Sequence, residues 1–137
     1  MSYFQLNYFA IVVGAIINMI LGMAWYGPIA GKQWLSLIGV TKEKLEEDKN
    51  KMGRVYVFTF LGALVTSYVL ANAVIYMNAS TFYAGVKVGF WLWLGFIAMT
   101  GLGKVFFEKR SEELYFIDVG YYLFTLMIVG GILAVWR

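Results

Sequence analysis

Residues 8–26 read YFAIVVGAIINMILGMAWY, a run without one charged side chain. A helix of that length, rising 1.5 Å per residue, reaches across the ~30 Å hydrocarbon core of a bilayer. Three further runs of the same kind follow, at about 55–77, 83–107 and 114–136. None shows the period-two alternation of a β-strand, and all outlast the ~9–11 residues of a barrel strand. The expected fold is therefore an all-α integral membrane protein, a single four-helix transmembrane domain over 1–137. Short connections make successive helices neighbours, which predicts an up-down-up-down bundle.

The rest of the composition agrees with that fold class. Only 14% of residues are charged, against about 25% in soluble domains. There are no cysteines and no histidines, which removes disulfides, thiol chemistry, His-ligated haem and the usual zinc sites. No catalytic set, cofactor signature or metal cluster is legible. The net charge of +3 is read by its position along the chain, not as a nucleic-acid footprint.

That position is uneven. Of 11 Lys and Arg residues, Lys32, Lys42, Lys44, Lys49, Lys51 and Arg54 follow the first run, and Lys104, Lys109 and Arg110 end the third. Lys87 and Arg137 alone fall on the other side. Because basic residues stay cytoplasmic, both charged gaps are expected in the cytoplasm. Both termini are then expected on the opposite side of the membrane. The start, Met1 to Asn7, lacks the basic region of a cleaved signal peptide, so the first run reads as a retained span. Pro28, the only proline, is expected to end it.

Between the first two spans, Trp34, Leu35, Leu37 and Ile38 beside Lys32 and Gln33 predict a short amphipathic helix at the cytoplasmic surface. Thr41 reads as an N-cap with Glu43 in the first turn, and Val40 with Leu45 has the spacing of a hydrophobic staple. A solvated helix over Lys42 to Lys51 then leads into the second span.

Lipid gives helices no hydrophobic reason to associate, so small residues and interhelical hydrogen bonds must do it. Ala10, Gly14, Asn18 and Gly22 recur every four residues along one side of the first helix, and Gly85 and Gly89 do so on the third. This seam predicts packing within the chain or between copies. Charged groups inside spans are default functional candidates. Lys104 stands seven residues before Ser111 and Asp118 seven after it, so a regular hairpin would set them at one depth as an ion pair. Asn18, near the middle of the first helix, needs a hydrogen-bond partner.

Two stretches carry a resemblance. One is Trp25-Tyr26-Gly27-Pro28 with Gly31-Lys32, Trp34 and Gly39-Val40-Thr41. The other is Phe107-Glu108 with Ile117-Asp118, Gly120-Tyr121, Gly131-Ile132-Leu133 and Trp136-Arg137. Together they resemble the bacterial family catalogued as domain of unknown function 1761, over nearly the whole chain. The resemblance implies a four-helix integral membrane protein of the bacterial cytoplasmic (inner) membrane, whose termini would then be periplasmic or extracellular, and no particular activity.

The function expected from these residues is non-enzymatic: action through helix packing, as a homo-oligomer or an accessory subunit of a larger membrane complex. The partners expected are the lipid bilayer and either further copies or another membrane protein, with no nucleic acid and no cofactor. The alternative is a small transporter or channel subunit that uses the intramembrane polar residues. Glu108, Glu112 and Glu113 crowd one turn, but neighbours on a turn rarely converge on one substrate.

Overall fold

The computed structural model describes residues 6–136, apart from the side chains of Lys42 and Leu45. Arg137 and the Leu45 half of the expected staple lie outside the described residues. Among these residues there is helix and no strand, and four helical stretches are long and apolar enough to cross a membrane: Tyr8–Ile29, Asp48–Tyr76, Phe82–Phe107 and Glu112–Val135. The chain is a multi-pass, membrane-type helical protein.

Side chains at the helix starts explain where the elements begin. Helix α1 (Tyr8–Ala24) is capped by Asn7, whose side chain accepts from the Ala10 N–H at 3.1 Å. It runs on into a wide π turn, Trp25–Ile29, that contains Pro28. The expected stop at Pro28 is thus displaced. A π turn pairs each N–H with the carbonyl five residues back, as Ala30 does with Trp25 at 2.7 Å. Proline is tolerated there, and the break comes two residues later at Ala30, with φ −123° and ψ 5°.

Helix α2 (Gly31–Ile38) ends at Gly39, whose φ of 73° is the left-handed conformation glycine adopts freely. Helix α3 (Lys42–Glu47) starts where expected, with the Thr41 hydroxyl accepting from the Lys44 N–H at 3.3 Å and Glu43 in its first turn. A 3-10 turn, Asp48–Lys51, joins it to α4 (Met52–Tyr76). Thr81 caps α5 (Phe82–Trp93), which continues through a second π turn, Leu94–Ala98, into α6 (Met99–Phe107). Ser111 caps α7 (Glu112–Val135), with Glu112 and Glu113 placed where the helix dipole favours anions.

The third and fourth spans run antiparallel, as do the first and fourth. Gly85 lies against Gly130 and Gly89 against Leu126; Gly14 lies against Val129 and Gly22 against Tyr121. Helix α7 is the hub, with α1, α4 and α5 all packed on it and α5 most extensively. Helices α4 and α5 share few contacts despite their short connection. The expectation that the second and third spans would be close neighbours therefore fails. The small residues of α5 face α7 instead, so α5 clamps to that hub and leaves α4 to α1 and α7.

The core occupies one half of the bundle, away from the charged gaps. Ile11, Leu70, Val74, Val88, Val129 and Leu133 are all buried there. Most of the predicted seam is spent within the chain. A Cβ on Gly14 would sit 2.5 Å from Ser67 Oγ, and one on Gly85 or Gly89 would run into the backbone of Gly130 or Leu126. Ala10 is fully buried. The Ser67 hydroxyl, 2% exposed, donates to the Ile11 carbonyl at 2.8 Å. Bonds of this kind contribute roughly 0.6 to 1.7 kcal/mol between membrane helices.

Candidate functional site

The other half of the bundle is built differently. Two indoles reach the backbone of α7 on either side of Asp118. Trp25 donates to the Ile117 carbonyl at 2.9 Å, and Trp93 donates to the Val119 carbonyl at 2.7 Å. Trp25 lies in the first π turn and Trp93 directly precedes the second. Tyr115 returns a bond from α7 to the second π turn, its hydroxyl 2.6 Å from the Ala98 carbonyl. Gly101 makes room for the Tyr115 ring, which a Cβ there would meet at 2.9 Å.

Asp118 is half-buried and accepts from the Tyr26 hydroxyl at 2.8 Å. One turn further along, Tyr121 donates its hydroxyl to both the side-chain and backbone oxygens of Asn18. So Asn18 finds the partner its position demands. An unpaired charge at a membrane centre costs roughly 2.5–3.5 kcal/mol on insertion scales, and the Tyr26 hydrogen bond offsets part of that for Asp118.

The expected Lys104–Asp118 ion pair does not form. Both side chains line one cavity of about 540 Å³ between α6 and α7 without closing to ion-pair distance. Among the described residues the ion pair is Arg110–Glu108, at 3.9 Å and well exposed. The symmetric spacing about Ser111 presupposed a regular hairpin. The π turn at Leu94–Ala98 widens the third span, and α6 touches α7 far less than α5 does. The space between them is the cavity.

Five aromatic residues contribute to its wall: Tyr26, Trp34, Phe96, Tyr115 and Tyr122. Asp118 is its one carboxylate, while Lys104 and Arg110 supply cations. A second cavity, about 530 Å³, lies between α1 and α4 and is lined by Met19, Met23, Met52 and Thr59 among others. Tyr26, Trp34 and Tyr122 border both spaces. Tyr26 packs edge-on against Trp34, ring centroids 4.9 Å apart, and against Tyr121 at 5.4 Å.

The motif read after the first span therefore forms one elbow. Trp25 and Tyr26 bond to α7, Pro28 sits in the π turn, and Trp34 from α2 closes on Tyr26. Gly31 is required because a Cβ there would lie 2.5 Å from the Tyr26 carbonyl oxygen. Lys32 is exposed, and Glu108 ends α6 and pairs with Arg110. Sequence reasoning passed over Tyr115 and gave Tyr122 no part in a site. Their signal was the i, i+3, i+7 spacing of Tyr115, Asp118 and Tyr122, which sets all three on one face of α7.

A family model described as "Protein of unknown function (DUF1761)" matches residues 9–134. The chain belongs to the DUF1761 family. The match spans all four apolar helices of this DUF1761 protein, including both π turns and the elbow. No curated protein and no solved structure matches it.

Proposed function

We propose that this protein is a non-enzymatic binding and transport subunit of the bacterial inner membrane, holding a small amphiphilic solute in the open half of its bundle. The carrying observation is the cavity of about 540 Å³ between α6 and α7, which sets Asp118 and Lys104 in the walls of spanning helices. Intramembrane ionisable residues beside a cavity mark solute paths more often than they serve packing alone. The excess of Lys and Arg in the gaps after the first and third spans supports an orientation with that cavity on the cytoplasmic side and both termini outside. Helix α2 then rests as an amphipathic element at the cytoplasmic surface.

The test is flux. Vesicles carrying the purified protein are expected to take up a small amphiphile faster than empty vesicles, and Asp118→Asn should bring uptake down towards the empty rate. Equal uptake by wild type and variant would remove Asp118 from the function. Orientation has its own check, since the chain has no cysteine. An impermeant thiol reagent on intact cells should label Asn78→Cys and spare Lys109→Cys. The reverse labelling would invert the topology.

A second reading, a homo-oligomer or an accessory subunit, is favoured by the outer faces. Gly62, Gly95 and Gly103 have open space where a Cβ would stand. Small residues on a membrane helix allow another helix to approach. A lone monomer in mild detergent, with nothing co-purified from native membranes, would end this reading.

A further inference from the structure

The geometry points to the class of solute: a zwitterionic amphiphile of the alkyl-betaine type, with an acidic group nearest the charged turn, then an ammonium group, then an apolar chain furthest from that turn. This inference rests on reading the α6–α7 cavity as a binding site.

The order of groups along the cavity carries it. Arg110 lies in the turn that closes the hairpin, and Lys104 is three residues from the end of α6. At 1.5 Å per residue, that is about 5 Å from the helix end. Asp118 stands six residues into α7, about 9 Å from its start. Phe96 and Ile97 lie further again from the charged turn, in the second π turn. Counted from the charged turn along the spans, the cavity wall thus presents cations first, then one carboxylate, then apolar side chains.

The carboxylate is set among aromatic rings. Tyr26 bonds to one of its oxygens, and Tyr26, Trp34 and Tyr122 stand in the same wall. A carboxylate bordered by aromatic faces is the chemistry that recognises organic ammonium groups, through the ion pair and through the negative ring faces. A simple ammonium ion would leave Lys104 opposed by nothing and would be repelled by it. A simple carboxylate or phosphate amphiphile would meet Lys104 but place its charge beside Asp118. Arg110 sits out in the turn beyond α6, whereas Lys104 is on the helix nearer the depth of Asp118, so Lys104 is the cation placed to receive an acid next to the ammonium. A molecule with both charges, ammonium further from the charged turn, satisfies Asp118 and Lys104 together.

The test uses the full chain in nanodiscs and three probes with one tail: N-octyl-N,N-dimethylglycine, octyltrimethylammonium and octanoate. Binding heats are corrected with empty nanodiscs. The betaine should bind roughly 10-fold more tightly than either singly charged probe. Lys104→Gln should weaken the betaine roughly 10-fold and leave octyltrimethylammonium unchanged or tighter. Asp118→Asn, which keeps an oxygen for the Tyr26 hydroxyl, should weaken both ammonium probes by a similar factor and leave octanoate unchanged or tighter. Thermal unfolding of each variant controls for misfolding, and a variant that does not fold is replaced by Lys104→Met or Asp118→Ser. Equal binding of the betaine and octyltrimethylammonium, indifferent to Lys104→Gln, would overturn the zwitterion while leaving the cavity a binding site. Preference for octanoate would do the same. Binding of none of the three would overturn the site itself.

Discussion

The two halves of the α5–α6–α7 hairpin are made of different materials. Towards the Asn78 turn, Gly85 and Gly89 press directly on the backbone of Gly130 and Leu126. Towards the charged turn, the helices are bridged by Trp93 and Tyr115, whose polar atoms reach across to carbonyls on the facing helix. Missing side chains allow contact in the first half. Rings hold the helices at a distance in the second, and the gap between bridges becomes a cavity. Closeness and openness here are set by residue size on the facing surfaces, within one continuous pair of spans.

Breaking the tight half should have the largest effect. Gly89→Leu forces a side chain into the Leu126 backbone, and overpacking of this kind destabilises by about 1–3 kcal/mol or more. A marked fall in the unfolding temperature in detergent is expected. Gly103→Leu, at a position open on the outer face, should stay within about 0.5 kcal/mol of wild type. Equal sensitivity at both positions would erase the distinction between the halves. Loosening a bridge should matter less. Trp93→Phe removes the donor to Val119 and is expected to cost roughly 0.6–1.7 kcal/mol, with a larger change in solute binding than Gly103→Leu produces. The smallest effect belongs to the exposed Arg110–Glu108 pair. Arg110→Ala should shift stability by less than about 0.5 kcal/mol, and the shift should shrink further in salt.

Much of the fold was legible because its signals are local. Apolar runs place the spans, and Thr41 marks a helix start through a bond three residues away, while Thr81 and Ser111, which cap α5 and α7 in the same way, were not singled out. The inward role of Gly14, Gly85 and Gly89 was legible as a seam, although not the helix each would meet. The candidate site was half legible. Asp118 stood out as an intramembrane charge, but its donor Tyr26 comes from 92 positions away, and nothing in either neighbourhood announces that pairing. The π turns were invisible, since Leu94-Gly95-Phe96-Ile97-Ala98 reads as an unbroken apolar stretch. The expectation of a Lys104–Asp118 ion pair came from equal spacing about Ser111, but α6 ends at Phe107 and α7 starts at Glu112, which leaves Lys104 three residues from its helix end and Asp118 six residues into its own.

The second π turn also decides where this span can lose a residue without disturbing the cavity. A π turn is an α-helix holding one surplus residue, and each residue of a regular helix swings it by about 100°. Deleting a single residue between 94 and 98 would let the span close into a uniform helix with everything after it kept in its present phase. Deleting one from the regular stretch 99–103 would instead turn Lys104 by that angle and out of the cavity wall, with no change in the lining itself. The lysine of this membrane protein is thus buffered against a one-residue loss on one side of Met99 and exposed to it on the other.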